Sequence, residues 1–212
     1  MDSKSTIHNE FAAAVEYEEK FIDVFNKKVF VTNLKERDST RRTVVLLHGM
    51  KFTSQTWKTI DTYVELEKAG FKVYAIDLPG YGKSEPLGSS KKEDILKEVF
   101  KKLAIANAIV VSPSMSGMFS IPFVLNNPGL VSGFVPVAPV IEKNYSKNQF
   151  SACSVPSLIV YGENDKFALD KNKLLINIQP SEIMMIPNAG HPCYLDDPKL
   201  FHKFFIDFFE KH

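Results

Sequence analysis

The sequence predicts an α/β fold: a single domain whose mostly parallel sheet has helices on both faces. Apolar runs at residues 109–111, 157–161 and 183–186 lack polar alternation, which is typical of parallel strands buried on both sides. Helix-forming segments separate these runs along the chain, and this alternation favours crossover connections between parallel strands. The length of 212 residues suits one sizeable core, so we expect residues 1–212 to form one domain.

The N-terminal half begins with residues 1–18, which we expect to be a loosely held extension. Four strands are predicted after it, at residues 20–25, 29–34, 43–47 and 71–76. The first two form a hairpin around the polar turn at residues 26–28. A helix is expected over residues 54–69 and ends at Gly70. Its predicted inward residues are Trp57, Ile60, Val64 and Leu66.

The C-terminal half adds one further strand at residues 133–138 and several helices. The helices are predicted at residues 90–106, 170–178 and 198–211, with another starting near Ser116. Residues 90–93 have the form of a capping box, Ser-x-x-Glu, at the start of the first of these helices.

Ser114 is the predicted nucleophile, because it lies between the strand at residues 109–111 and the helix that starts near Ser116. A serine on a sharp strand-to-helix turn presents its hydroxyl at the sheet edge, beside the free N–H groups of a helix N-terminus. The usual motif on this turn is Gly-x-Ser-x-Gly, and here Ser112 and Ser116 replace both glycines. Small residues are needed there because strand and helix crowd the turn. Ser112 and Ser116 stay as alternative nucleophiles, although Ser116 is better suited to start the helix.

Asp165 and His191 follow two other predicted strands in the same way. The order Ser, Asp, His, each just past the end of a separate strand, is the chain order of α/β-hydrolase triads. A histidine takes the serine proton near neutral pH, and a carboxylate holds the histidine in the required tautomer. Glu163 and Asp170 stay as alternative acids, whereas Asp165 occupies the last position of the pattern Gly-x-x-Asp.

Acyl transfer also requires two donors aimed at the developing oxyanion. By position, these are the backbone N–H of Met115, directly after the nucleophile, and that of Met50 or its neighbour Lys51. His48, in the same loop as Met50, is expected to be structural. The glycine-rich segment at residues 77–84 lacks the spacing of a phosphate-binding loop, and we expect a turn-rich loop near the mouth of the site.

The composition argues against several functional classes. The 26 basic and 25 acidic side chains give a net charge of +1 without a long basic block, so neither a nucleic acid nor an anionic membrane is expected as a partner. Cys153 and Cys193 provide neither a disulfide framework nor metal-ligand spacing, so we expect free thiols, no metal and no required cofactor. The absence of a signal-peptide pattern and of a long apolar run predicts the cytosol, together with the nucleus.

Motifs along nearly the whole chain resemble the α/β-hydrolase superfamily. Residues 112–118 (Ser-Pro-Ser-Met-Ser-Gly-Met) and 190–195 (Gly-His-Pro-Cys-Tyr-Leu) are similar to one small branch, α/β-hydrolase domain-containing protein fourteen. The resemblance implies a lidless fold with a serine triad at Ser114, Asp165 and His191. It also implies hydrolysis of small activated esters and deacetylation of protein lysines, with coenzyme A as acetyl acceptor. A subunit of a transcription initiation factor is the partner that it implies.

The predicted function is therefore that of a serine hydrolase or acyltransferase acting on short-chain acyl esters or amides. The connection over residues 140–156 is too short for a lid domain, so the site should be open and covered only by loops. The alternative is a non-catalytic protein of the same fold that binds a ligand or a transcription-related partner, since a fold does not by itself determine function.

Overall fold

An eight-stranded sheet forms the centre of the protein, with strand order β1-β2-β4-β3-β5-β6-β7-β8. The computed structural model describes residues 16–35, 42–88, 90–142, 145–166, 168 and 172–212. The strands are β1 (Tyr17–Val24), β2 (Lys27–Leu34), β3 (Arg42–Leu46), β4 (Phe71–Ile76), β5 (Ala108–Pro113), β6 (Val131–Val137), β7 (Ser157–Gly162) and β8 (Ser181–Ile186). The pairs β1–β2 and β2–β4 are antiparallel, and every other neighbouring pair is parallel.

Helices cover both faces of this sheet, which confirms the predicted fold class. The α-helices of the described residues are α1 (Gln55–Thr59), α2 (Thr62–Lys68), α3 (Lys92–Lys102), α4 (Gly117–Asn126), α5 (Lys147–Ser151), α6 (Cys193–Asp196) and α7 (Pro198–Lys211). Alternate residues of β5 enter different apolar clusters: Val110 packs with α3, α4 and α5, whereas Ile109 and Val111 pack with α1, α2 and α7. This is the two-residue period of a strand buried on both faces.

The helix predicted over residues 54–69 is instead two short helices, because Asp61 interrupts it with a φ of 58°. Trp57 and Leu66 are buried as expected. The break rotates α2 relative to α1, so that Ile60 and Val64 are only half-buried and Tyr63 takes the inward position. The left-handed backbone of Asp61 leaves no marker in the helical pattern.

Three other predicted boundaries are wrong. Residues 17 and 18 of the predicted loose extension belong to β1, paired with Leu34 and Asn33; residues 1–15 lie outside the described residues. The N-cap of α3 is Lys91 and no side chain caps this helix, so Ser90 does not form the predicted capping box. The helix ends at Lys102 and not at residue 106. The helix predicted over residues 170–178 is a 3₁₀ segment, Asn172–Asn177, and residues 169–171 lie outside the described part.

The last helix has the predicted bounds, because its start is marked in the sequence. Asp197 accepts a hydrogen bond from the Leu200 N–H at 3.0 Å, and Pro198 occupies the first helical position, where its missing N–H costs nothing. Its buried phenylalanines are Phe201, Phe205, Phe208 and Phe209, which pack on the sheet. Among the described residues, no helix is both long and apolar enough to cross a membrane.

The connection between β6 and β7 leaves the carboxyl edge of the sheet open, as the sequence predicted. Its described residues contain one short helix, α5, so no lid domain is found in this part of the chain. Side chains at the ends of β3, β5, β7 and β8 therefore face a common space, which loops and α6 border among the described residues.

Candidate active site

Ser114 lies on a strained turn at the end of β5. Its φ of 49° is left-handed, which is costly for a residue with a side chain. A 3₁₀ turn, Ser114–Ser116, leads directly into α4, so the serine lies at a helix N-terminus. Tight packing surrounds the turn: a Cβ at Gly117 would lie 2.7 Å from both the Pro139 Cβ and the Val140 carbonyl oxygen. The turn therefore places Ser114 at the edge of the sheet.

The fold brings Ser114, His191 and Asp165 into one hydrogen-bonded series. The Ser114 Oγ lies 2.9 Å from His191 Nε2, and His191 Nδ1 lies 2.5 Å from Asp165 Oδ2. The Asp165 side chain is 4% exposed, whereas that of His191 is 51% exposed. With a proton on Nδ1 held by the carboxylate, Nε2 is free to accept the serine proton. This arrangement suits general-base activation of a hydroxyl.

The alternative residues take other positions. Ser112 and Ser116 are fully buried and hydrogen-bonded to each other, so neither hydroxyl is accessible to a substrate. Glu163 accepts a hydrogen bond from the Asn188 backbone N–H at 2.8 Å and so holds the turn ahead of the histidine loop. Asp170 lies outside the described residues.

The loops that carry Asp165 and His191 are held against each other by backbone contacts. The Asn164 N–H donates to the Ala189 carbonyl at 2.9 Å and so joins the two loops. Within the histidine loop, the Gly190 N–H donates to the side chain of Asp196 at Oδ2, at 2.7 Å. Gly162 permits this approach, because a Cβ there would lie 2.2 Å from the Gly190 carbonyl oxygen. Asp196 and Glu163 support these loops without any marker in the sequence, since a carboxylate that binds a backbone N–H has no motif.

We expect Gly162→Ala to lower activity by about 100-fold, because the added methyl group would push the histidine loop away from Ser114. The same clash should cost about 1–3 kcal/mol of unfolding free energy. Gly190→Ala is the matched control: the nearest atom to a Cβ there is at 3.8 Å, an ordinary contact. Ester hydrolysis and thermal unfolding of both variants test this. Equal activity of the two variants would contradict it.

His48 is structural, as expected, and is fully buried. Its Nδ1 lies 2.8 Å from the Gly49 carbonyl, and its Nε2 accepts from the Leu78 N–H at 2.9 Å, so the ring is the neutral Nδ1–H tautomer. Burial lowers the pKa of His48, which also favours the neutral form. The ring thereby ties the loop after β3 to residues 77–84.

Residues 77–84 form the predicted turn-rich loop, which lies against His48. Asp77 is buried and accepts from the backbone N–H groups of Ser54 at 2.7 Å and Lys83 at 2.9 Å. No described residue of this segment lines the cavity beside Ser114. The carboxylate draws the segment inward, because it satisfies two backbone donors at once.

A cavity of about 380 Å³ opens beside Ser114. Its lining residues are Gly49, Met50, Lys51, Phe52, Pro113, Ser114, Val137, His191, Pro192 and Tyr194. The loop after β3 lies against the turn, since a Cβ at Gly49 would be 3.6 Å from the Ser114 Cβ. Met50 and Lys51 line the cavity together with Ser114, and Met115 follows Ser114 directly in the sequence. Most of the cavity wall is apolar. The hydrophobic periodicity of the sequence does not show that Phe52, Val137 and Tyr194 line this cavity.

Cys193, two residues after His191, is fully buried. Burial raises the pKa of its thiol to about 12, so the thiol stays protonated and unreactive near neutral pH. Cys193 therefore acts as a small apolar residue of the core.

Comparisons with known proteins identify the family of this chain. The family described as serine aminopeptidase, S33 matches residues 38–152, more than half of the chain. ABHD14B of Homo sapiens, whose name gives it a proposed protein-lysine deacylase activity, is 35% identical over 94% of this chain and 98% of its own length. The chain belongs to the ABHD14 group of the α/β-hydrolases. ABHD14A of Mus musculus matches this ABHD14 chain about equally, at 37% identity over 87% of this chain and 77% of its own.

Solved structures of other hydrolases have the same fold. A predicted CIB-like hydrolase from Thermoplasma acidophilum superimposes with a TM-score of 0.85 at 29% identity, covering 93% of this chain and all (100%) of that one. The carboxylesterase CesB of Bacillus subtilis has the same fold at 17% identity, with a TM-score of 0.79 over 94% of this chain and 93% of its own. The family match and the ABHD14 relatives show that the chain is a serine hydrolase. Enzymes of this fold generally need no cofactor.

Proposed function

We propose that this protein transfers short-chain acyl groups from esters or amides through an acyl-enzyme on Ser114. The observation that carries the proposal is the continuous hydrogen-bonded series from Ser114 through His191 to Asp165 beside an open cavity. A nucleophile, a base and an orienting acid in this order are what acyl transfer requires.

The first half-reaction forms the acyl-enzyme. The Ser114 Oγ attacks the acyl carbonyl carbon while its proton passes to His191 Nε2, and the backbone N–H groups of Met115 and Met50 stabilise the oxyanion. The tetrahedral intermediate then expels the alcohol or amine, which takes the proton from His191. Asp165 stabilises the imidazolium throughout and keeps the ring oriented.

The second half-reaction releases the acyl group to an acceptor. Water, or a thiol such as that of coenzyme A, loses its proton to His191 and attacks the acyl carbonyl carbon. Collapse of the intermediate breaks the bond to Ser114, which recovers the proton. Because the site has no lid in the described residues, it accommodates an acyl group on a large partner. Together with the name of human ABHD14B, this supports an acetylated protein lysine as substrate. We further propose that the protein acts in the cytosol and nucleus. Contact with a transcription factor subunit is proposed from the family resemblance of the sequence.

The test is incubation with a panel of acyl esters and acetyl-lysine peptides, with and without coenzyme A, followed by mass spectrometry of the protein. We expect a peptide acylated at Ser114, and acetyl-coenzyme A as a product when the thiol is present. Acylation at another residue would overturn the role of Ser114, and free acetate in every reaction would overturn coenzyme A as acceptor. A complete absence of turnover and of fluorophosphonate labelling would favour the non-catalytic binding protein.

A further inference from the structure

Three buried serine hydroxyls form a connected series behind Ser114. Ser112 lies at the end of β5, Ser116 in the turn and Ser120 one turn into α4, and all three are fully buried. The Ser112 Oγ lies 2.6 Å from the Ser120 Oγ and 2.9 Å from the Ser116 Oγ. Ser116 in turn donates to the Pro113 carbonyl at 2.7 Å. We call this series the serine chain.

The direction of the serine chain follows from the number of protons. Each hydroxyl carries one proton, and a carbonyl oxygen can only accept. Ser116 uses its proton on Pro113, so the proton between Ser112 and Ser116 must come from Ser112. Ser120 must then donate to Ser112. The chain therefore runs one way, from Ser120 to the Pro113 carbonyl, and a series of this kind is strengthened by mutual polarisation.

The end of the serine chain acts on the backbone of the nucleophile. The Pro113 carbonyl belongs to the peptide unit on the N-terminal side of Ser114. The peptide unit on the other side is held by the Val140 N–H, which donates to the Ser114 carbonyl at 2.8 Å. That second unit also contains the Met115 N–H. Both peptide planes around the strained φ of Ser114 are thus fixed by hydrogen bonds, one of them by the serine chain.

We propose that Ser112, Ser116 and Ser120 are positioning residues that hold Ser114 in the orientation needed for attack; this rests on the proposed role of Ser114 as nucleophile. Glycine, the usual residue at positions 112 and 116 of this turn, has no hydroxyl to offer. The serines here remain small enough for the crowded turn and add a hydrogen-bonded tether to it. Their substitution should therefore alter the rate of acyl transfer more than the binding of the substrate.

The test compares Ser116→Ala and Ser120→Ala with Ser157→Ala. Ser157 is the matched control, because it is also fully buried and its Oγ also donates to a backbone carbonyl, that of Val155 at 2.9 Å, but in β7. We expect Ser116→Ala to lower kcat and the rate of fluorophosphonate labelling by about 10- to 100-fold with little change in KM. Ser120→Ala should cause a smaller loss of the same kind. Ser157→Ala should lower Tm to a similar degree while leaving kcat unchanged.

A double variant tests whether the serines act as one chain. Since Ser112 acts only through Ser116, Ser112→Ala combined with Ser116→Ala should lose no more kcat than Ser116→Ala alone. Two results would overturn the serine chain. One is a double variant whose loss of kcat is the sum of the losses in the two single variants. The other is a Ser157→Ala variant whose kcat falls with its Tm as much as that of Ser116→Ala. The failure of the proposed function is a different result: the wild-type protein would then not be labelled, whereas a failed serine chain leaves wild type and variants labelled at equal rates.

Discussion

Replacing Ser114 with alanine is expected to lower kcat for ester hydrolysis by on the order of 10³- to 10⁶-fold and to abolish fluorophosphonate labelling. The Ser114 Oγ is the hydroxyl that both reaches His191 Nε2, at 2.9 Å, and belongs to a residue lining the cavity. Without it, His191 has no hydroxyl to activate at the acyl carbonyl. Steady-state kinetics on a nitrophenyl ester, with labelling followed by mass spectrometry, measures both effects.

Ser146→Ala provides the control for this substitution, because Ser146 is exposed and caps α5 through Gln149, far along the chain from the turn. Its kcat should equal that of the wild-type protein. Turnover retained by Ser114→Ala at the wild-type level would exclude Ser114 as the nucleophile. Fluorophosphonate labelling of Ser112 or Ser116 instead of Ser114 in the wild-type protein would also exclude Ser114.

Asp165→Asn is expected to reduce kcat by about 10⁴-fold, the size of the effect of this change in a serine-protease triad, with a much smaller change in KM. Asparagine has the same shape but offers an N–H₂ group to His191 Nδ1 in place of the carboxylate at 2.5 Å. Nδ1 then becomes an acceptor, and the ring proton moves to Nε2, where it faces Ser114. The ring can no longer take the serine proton, and the imidazolium loses its counter-charge.

Glu163→Gln is the matched control for this acid. Its amide oxygen can still accept the hydrogen bond from the Asn188 N–H, so we expect no more than about a twofold change in kcat. Asp170→Asn belongs in the same series, because the sequence left Asp170 as a rival acid. A loss in either control as large as in Asp165→Asn would move the orienting role away from Asp165.

The residues of the site were predictable because each has a local marker. Ser114, Asp165 and His191 each come within five residues of the end of an apolar run. The parallel order of the strands forces such positions to one edge of the sheet. The last helix was predictable for a similar reason, since Asp197 and Pro198 mark its start. The break at Asp61 had no such marker: its left-handed backbone is decided by how α1 and α2 pack on β4 and α7.

The contacts that support the site were not predictable from sequence. Glu163, Asp196 and His48 bind backbone groups, and any carboxylate or imidazole near a strand end could do so. The serine chain begins at Ser120, a full helical turn beyond the motif. Ser120 belongs to the serine chain because its hydroxyl is buried against that of Ser112. The spacing of the two serines in the sequence does not by itself predict this contact.

The amino-acid sequence by itself determined the α/β class. It also determined the chain order of the strands that lead to Ser114, Asp165 and His191, and it showed that these residues belong to one recognisable pattern. These properties follow from short-range features, namely apolar runs, turns and small residues around a nucleophile. Only the tertiary structure decided which serine is accessible, which acid contacts the histidine and which glycine allows two loops to meet. Those choices depend on interatomic distances between segments far apart in the chain, and tertiary packing sets such distances.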